Sequence, residues 1–142
     1  MSLEYDNCIK RGKIKPFSRG KALVSKEFVT AKLDLERAGK TYKESDFKWA
    51  TIQIYYSMFH SARALLYAQN LREHSHYCLF QAMKSLYVDT KKMPGYYVEV
   101  FQEAKDLRED ADYYNRWSQK GCEKLLKAAE KFLEKAKSII SK

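Results

Sequence analysis

The sequence predicts an all-α fold, an antiparallel up-down bundle of four to five main helices plus a short N-terminal helix. Three observations lead there. Only 5 glycines and 2 prolines occur in 142 residues, too few punctuators for a loop-rich β architecture. Apolar residues at 45% and charged residues at 32% are globular proportions, and a chain of this length can bury a core without a disulfide framework. Apolar residues also recur at steps of three and four over long stretches. Taken in order, Ser2–Arg11 suits a short helix through Leu3, Tyr5, Cys8 and Ile9, and Gly12, Pro16 and Gly20 then punctuate a basic linker. These form a first region, 1–20, ahead of a bundle over 21–142. A helical face opens at Leu23 with Val24, Phe28, Ala31, Leu35 and Ala38, and Gly39 with the polar run Lys40–Ser45 is expected to close it. Ser45 or Asp46 can cap the next helix, Asp46–Gln69. Asn70–Ser75 reads as a turn. A third helix carries Leu79, Ala82, Met83, Leu86 and Tyr87, and breaks at Lys91–Gly95. A fourth begins near Tyr96 with Tyr97, Phe101, Ala104, Arg108 and Ala111 on one stripe. Tyr113–Trp117 reads as a loop, and Ser118 caps a long last helix with Cys122, Leu125, Ala129, Phe132, Ala136 and Ile139 facing inward.

The formal net charge of +9 is uneven, with +5 in residues 1–50, zero in 51–117 and +4 in 118–142. In an antiparallel bundle the two basic ends can lie side by side and attract phosphate-bearing polymers or acidic protein partners. The plainer reading of the same excess is a solubilising surface. Cys8, Cys78 and Cys122 are odd in number, with no C-x-x-C pair, and read as free thiols of a reducing cytoplasm. No apolar run occupies Met1–Lys15, so no signal peptide is expected. Trp49–Leu71 is long and apolar, but Arg63, Gln53, His60 and Asn70 interrupt it, which points to a central buried helix and not a membrane span.

At 100° per residue, Trp49, Gln53, Tyr56, His60, Arg63 and Tyr67 fall within an arc of about 80° on that central helix. Tyr56, His60 and Arg63 are its chemical core: a guanidinium for phosphate and aromatic rings for a base, or else a buried network in which the polar groups satisfy one another. Arg108 lies on an apolar stripe, where a cation needs a partner; Asp112 at i+4 or a group on the central helix can supply one. His74 and Cys78 share a helical face, but no second ligand pair stands at useful spacing, so no metal or other cofactor is expected. His76 is placed to cap or pack at a helix start. No phosphate-binding glycine loop and no nucleophile elbow is present, and no spacing assembles a catalytic triad.

The segment Ile54-Tyr55-Tyr56-Ser57-Met58-Phe59-His60-Ser61-Ala62-Arg63-Ala64-Leu65-Leu66 resembles the A-Y-Y-A-M-F-H-A-A-R-A-L-L stretch of the HEPN domain family. Leu107-Arg108-Glu109-Asp110-Ala111-Asp112-Tyr113 resembles the L-R-x-x-A-D-Y stretch of the same subgroup, and His76 matches its K-T-H turn. The resemblance runs in element order from about Cys8 to Ile140. It implies a helical bundle that forms a homodimer, works beside a minimal nucleotidyltransferase in a toxin–antitoxin pair, and binds nucleotide or RNA. Active members of the family are metal-independent ribonucleases with an R-x(4–6)-H motif. Here Arg108 fits the arginine, but Tyr113 stands where the histidine belongs, and a phenol is a poor base at neutral pH. The leading expectation is therefore a binding module in which Arg63 and Arg108 converge on one recess and Tyr56, His60, His76, Asp112 and Tyr113 shape it. An endoribonuclease toxin and a structural bundle with no catalytic site are the alternatives.

Overall fold

The computed structural model describes residues 2–141; Met1 and Lys142, which end the two predicted regions, lie outside the described residues. Six helices dominate. α1 (Leu3–Lys10) starts where the Ser2 hydroxyl accepts from the Tyr5 amide at 3.1 Å. Glu4 and Asp6 at its start and Lys10 at its end suit the helix dipole. β1 (Ile14–Pro16) follows, within what the sequence suggests is a linker, and pairs antiparallel with β2 (Leu71–Glu73), Ile14 opposite Glu73. The expected turn at 70–75 is thus partly strand. Three-residue strands carry no readable alternation, and their pairing joins positions far apart in sequence. Tyr5, Cys8 and Ile14 sink into the same core as the bundle helices.

α2 (Gly20–Lys43) begins three residues before its predicted start and runs past its predicted stop. At Gly20 a β-carbon would lie 2.5 Å from the Tyr67 carbonyl oxygen, so the backbones meet there directly. Gly39 does not close the helix. Ala38 and Thr41, both buried, hold the last turns against the core and override the glycine's low propensity. A β-carbon at Gly39 would meet nothing within 4 Å. Gly39→Ala should therefore raise the unfolding free energy by about 0.5–1 kcal/mol in a urea titration, because only the backbone entropy of the unfolded chain changes.

α3 (Phe47–Tyr67) is the central rod, with α2, α5 and α6 packed around it. Asp46 caps it, accepting from the Trp49 amide at 3.3 Å. Ile54, Tyr55, Met58, Leu65 and Leu66 are fully buried. α4 (His76–Met83), capped by Ser75, continues into a wide π-turn at Lys84–Val88, where the Asp89 amide reaches back to the Lys84 carbonyl. That turn buries Tyr87, whose hydroxyl donates to the Leu65 carbonyl at 2.5 Å. α5 (Tyr96–Tyr113) takes in Tyr113, the first residue of the expected loop, and α6 (Gln119–Ile140) is capped by Ser118 as expected. Phe101 and Phe132 lock these last two helices together, ring centres 5.7 Å apart.

The expectation of three free thiols is corrected. Cys8 of α1 and Cys78 of α4 form a disulfide across 70 residues of sequence, while Cys122 stays free and buried. Nothing in their spacing announces the pair, because it is the return of β2 onto β1 that brings α1 beside α4. Among the described residues no helix is long and apolar enough to cross a membrane.

Candidate functional site

The polar seam of α3 is shared among three neighbours. Tyr56 faces α5, where the Arg108 guanidinium donates to its hydroxyl at 3.0 Å and also lies 3.5 Å from Asp112. His60 turns to α2, with Nδ1 2.5 Å from Glu27 and Nε2 3.9 Å from Asp34. Burial raises the Asp34 carboxyl and the charge of His60 partly offsets that. Arg63 faces β2 and donates to Glu73 at 2.8 Å. A narrow arc on one helix reaches three partners because long side chains fan out into three different grooves between elements.

Between the two arginines runs a row of rings. Arg63 stacks over Phe59 at 4.5 Å, Phe59 lies 5.6 Å from His76, and His76 lies 5.8 Å from Tyr55, which Arg108 overlies at 5.6 Å. The Tyr55 hydroxyl and His76 Nδ1 are hydrogen-bonded at 2.5 Å. Burial, then the positive charges of Lys105 and Arg108, hold His76 below its ordinary pKa, so its imidazole is neutral at neutral pH. Burial likewise pushes the Tyr55 phenol well up. Arg63 and Arg108 thus stand at opposite ends of one aromatic row and share no carboxylate, in place of the single recess anticipated for them. Nε of each arginine and Oε1 of Glu73 are buried without a hydrogen-bond partner among the described residues.

Outward from Arg108 the surface is aromatic and cationic. Its guanidinium also overlies Tyr56 at 5.5 Å and Tyr113 at 5.3 Å. Tyr113, Tyr114 and Trp117 at the α5–α6 junction and Trp49 at the start of α3 are all exposed. Lys48 Nζ lies 5.4 Å from the Trp49 ring and 5.9 Å from that of Trp117, joining the two elements. Guanidinium, ammonium and open rings on one face can take phosphates and bases. His74 and Cys78 hold nothing together, since Cys78 is in the disulfide, and no group of three metal-ligating side chains occurs among the described residues.

Of the residues anticipated for the site, Tyr56, Arg108, Asp112 and Tyr113 come together and His76 adjoins them through Tyr55. His60 and Arg63 point elsewhere. Sequence reasoning did not single out Glu27, Asp34, Glu73, Lys48 or the ring of Tyr55. Glu27 and Asp34 left a signal, being seven residues apart along the edge of the α2 apolar face. Glu73 left none, because a single carboxylate in a polar turn looks like any other.

The sequence pattern of the HEPN domain matches residues 26–139. The chain is 28% identical over 127 residues to a protein named "Putative toxin MJ0142" of Methanocaldococcus jannaschii, covering 87% of this chain and 86% of that protein. It is 25% identical over 111 residues to "Putative toxin MJ0605" of the same organism, covering 78% and 83%. It is 30% identical over 117 residues to "UPF0332 protein" of Archaeoglobus fulgidus, covering 76% and 87%.

Proposed function

The chain belongs to the HEPN domain family, and from that premise we propose that it is a nucleotide- or RNA-binding module, dimeric and cytoplasmic, working beside a minimal nucleotidyltransferase in a toxin–antitoxin-like pair. The toxin names of two relatives support the broad class. One observation carries the binding role: the Arg108 guanidinium over the rings of Tyr56 and Tyr113, with Trp49, Tyr114 and Trp117 exposed at the start of α3 and the α5–α6 junction. Its distance of 3.5 Å from Asp112 is longer than a charge-assisted hydrogen bond of about 2.7–2.9 Å, so the guanidinium keeps capacity for a phosphate. Open rings add base stacking at about 1–3 kcal/mol per base.

A second reading, a metal-independent endoribonuclease, draws on the neutral His76 imidazole near Arg108. Tyr113 is too weak a base for that work, whereas His76 is not. Tryptophan fluorescence tests the first reading, because Trp49 and Trp117 flank the site. A single-stranded oligoribonucleotide should quench it, more weakly as salt rises. Arg108→Ala should weaken that binding about tenfold and lower the salt slope by about one. Equal affinity in the wild type and the variant would remove Arg108 from the role. Intact RNA after long incubation with the purified protein would dispose of the nuclease.

A further inference from the structure

A second concave surface lies at the other end of the bundle. The start of α2, the end of α3, the segment after the π-turn and the end of α6 enclose a groove of about 810 Å³. Lys21, Lys91, Lys92 and Lys135 line it, and no carboxylate among the described residues does. The ion-paired lysines of this protein lie elsewhere, at Lys105, Lys124 and Lys127, so the four groove lysines have no ion pair among the described residues. The rest of the lining is mixed, with aliphatic Val24, Ala68, Ile139 and Ile140 beside polar Ser25, Gln69 and Ser138. Lys21 and Lys135 come from the two basic ends of the sequence, which the packing of α2 on α6 brings side by side, and Lys91 and Lys92 come from its neutral middle.

We propose that this groove docks an acidic protein segment carrying a few apolar side chains, a partner's extended or helical stretch with carboxylates for the lysines and aliphatic groups for Val24, Ala68, Ile139 and Ile140. Charge complementarity chooses an anion: four uncompensated ammonium groups around one hollow repel one another and are relieved by an acidic occupant. Four aliphatic side chains with no exposed ring among them favour a peptide over a nucleic-acid strand. Strand binding without sequence preference relies on exposed rings for stacking. The one aromatic residue here, Tyr87, is 1% exposed and spends its hydroxyl on the Leu65 carbonyl. The volume lies within the range of about 300–1,000 Å³ usual for well-formed ligand sites.

The test uses the full chain and a fluorescent twelve-residue peptide of Glu and Leu at helical spacing, read by anisotropy. Its controls are the same peptide with Ser for Leu, and a single-stranded oligoribonucleotide. The Glu/Leu peptide should bind, and Lys91→Glu/Lys135→Glu should weaken it about tenfold, Lys91 being exposed and Lys135 half-buried, with matching circular dichroism spectra and melting checking that the fold is kept. The leucine-free peptide should bind several-fold more weakly than its parent, and methyl resonances of Ile139 and Ile140 should shift on binding. RNA affinity should be nearly the same in the double variant. Failure of the peptide to bind at millimolar concentration overturns the proposal, as does equal binding to wild type and double variant. Equal binding by the leucine-free peptide reduces the groove to a nonspecific cation patch. Loss of RNA affinity in the double variant, with peptide binding kept, hands the groove to nucleic acid.

Discussion

Arg63→Ala should lower the unfolding free energy by about 3–5 kcal/mol, because it leaves Glu73 charged, buried and alone. Glu73 is 7% exposed, its Oε2 is held by Arg63 at 2.8 Å, and its Oε1 already has no partner. Burial of Arg63 acts against its charge, yet the hydrogen bond and charge of Glu73 outweigh that and raise its pKa, so the pair is strongly coupled. Removing both charges together, as Arg63→Met/Glu73→Leu, should recover most of the loss, since a buried ion pair is expensive to break and cheap to replace. Arg108→Ala should cost far less, because Tyr56 and Asp112, the groups it strands, are exposed enough for water to take its place. Urea titrations of the four proteins decide it. A loss below about 1 kcal/mol for Arg63→Ala would mean that water reaches Glu73 and that the pair holds nothing.

Reducing the Cys8–Cys78 bond, or replacing it by Cys8→Ser/Cys78→Ser, should cost about 4 kcal/mol. The bond closes a loop spanning 70 residues of sequence separation, and in the chain-entropy picture that much freedom returns to the unfolded state. The loss should appear as a lower melting temperature in reductant, absent from the serine double variant. Cys122→Ser leaves the bond intact and should keep the sensitivity to reductant. Identical melting with and without reductant would mean that the two thiols are not joined in solution. A disulfide and a cytoplasmic setting coexist where intracellular proteins are disulfide-rich, as in hyperthermophilic archaea.

The helices were legible because their signal is local. Ser118 and Asp46 cap as their side-chain chemistry demands, and the apolar stripes of α3 and α6 face inward. The extent of α2 was not legible, since Gly39 reads as a stop and only packing around Ala38 and Thr41 overrules it. The β1–β2 ribbon and the disulfide were hidden for a related reason: both join residues about 55–70 positions apart, and no local period encodes such a meeting. At the candidate site, helical spacing places Tyr56, His60 and Arg63 along one arc of α3. It could not say that α5, α2 and β2 each claim one of them.

The wide turn at Lys84–Val88 shifts the rotational phase of the last residues of its helix. A π-turn holds one residue more than the α-helix around it, so the chain leaves that turn rotated by about 100° from where an unbroken helix would have carried it. Tyr87 meets Leu65 from within that turn, and Lys91 and Lys92 follow it onto the rim of the groove. Deleting one residue there would leave the helix smoother and the molecule miswired, with a phenol in water and two ammonium groups swung off their hollow. A local irregularity acts here as the indexing tooth that keeps the inner lock and the outer charge in step.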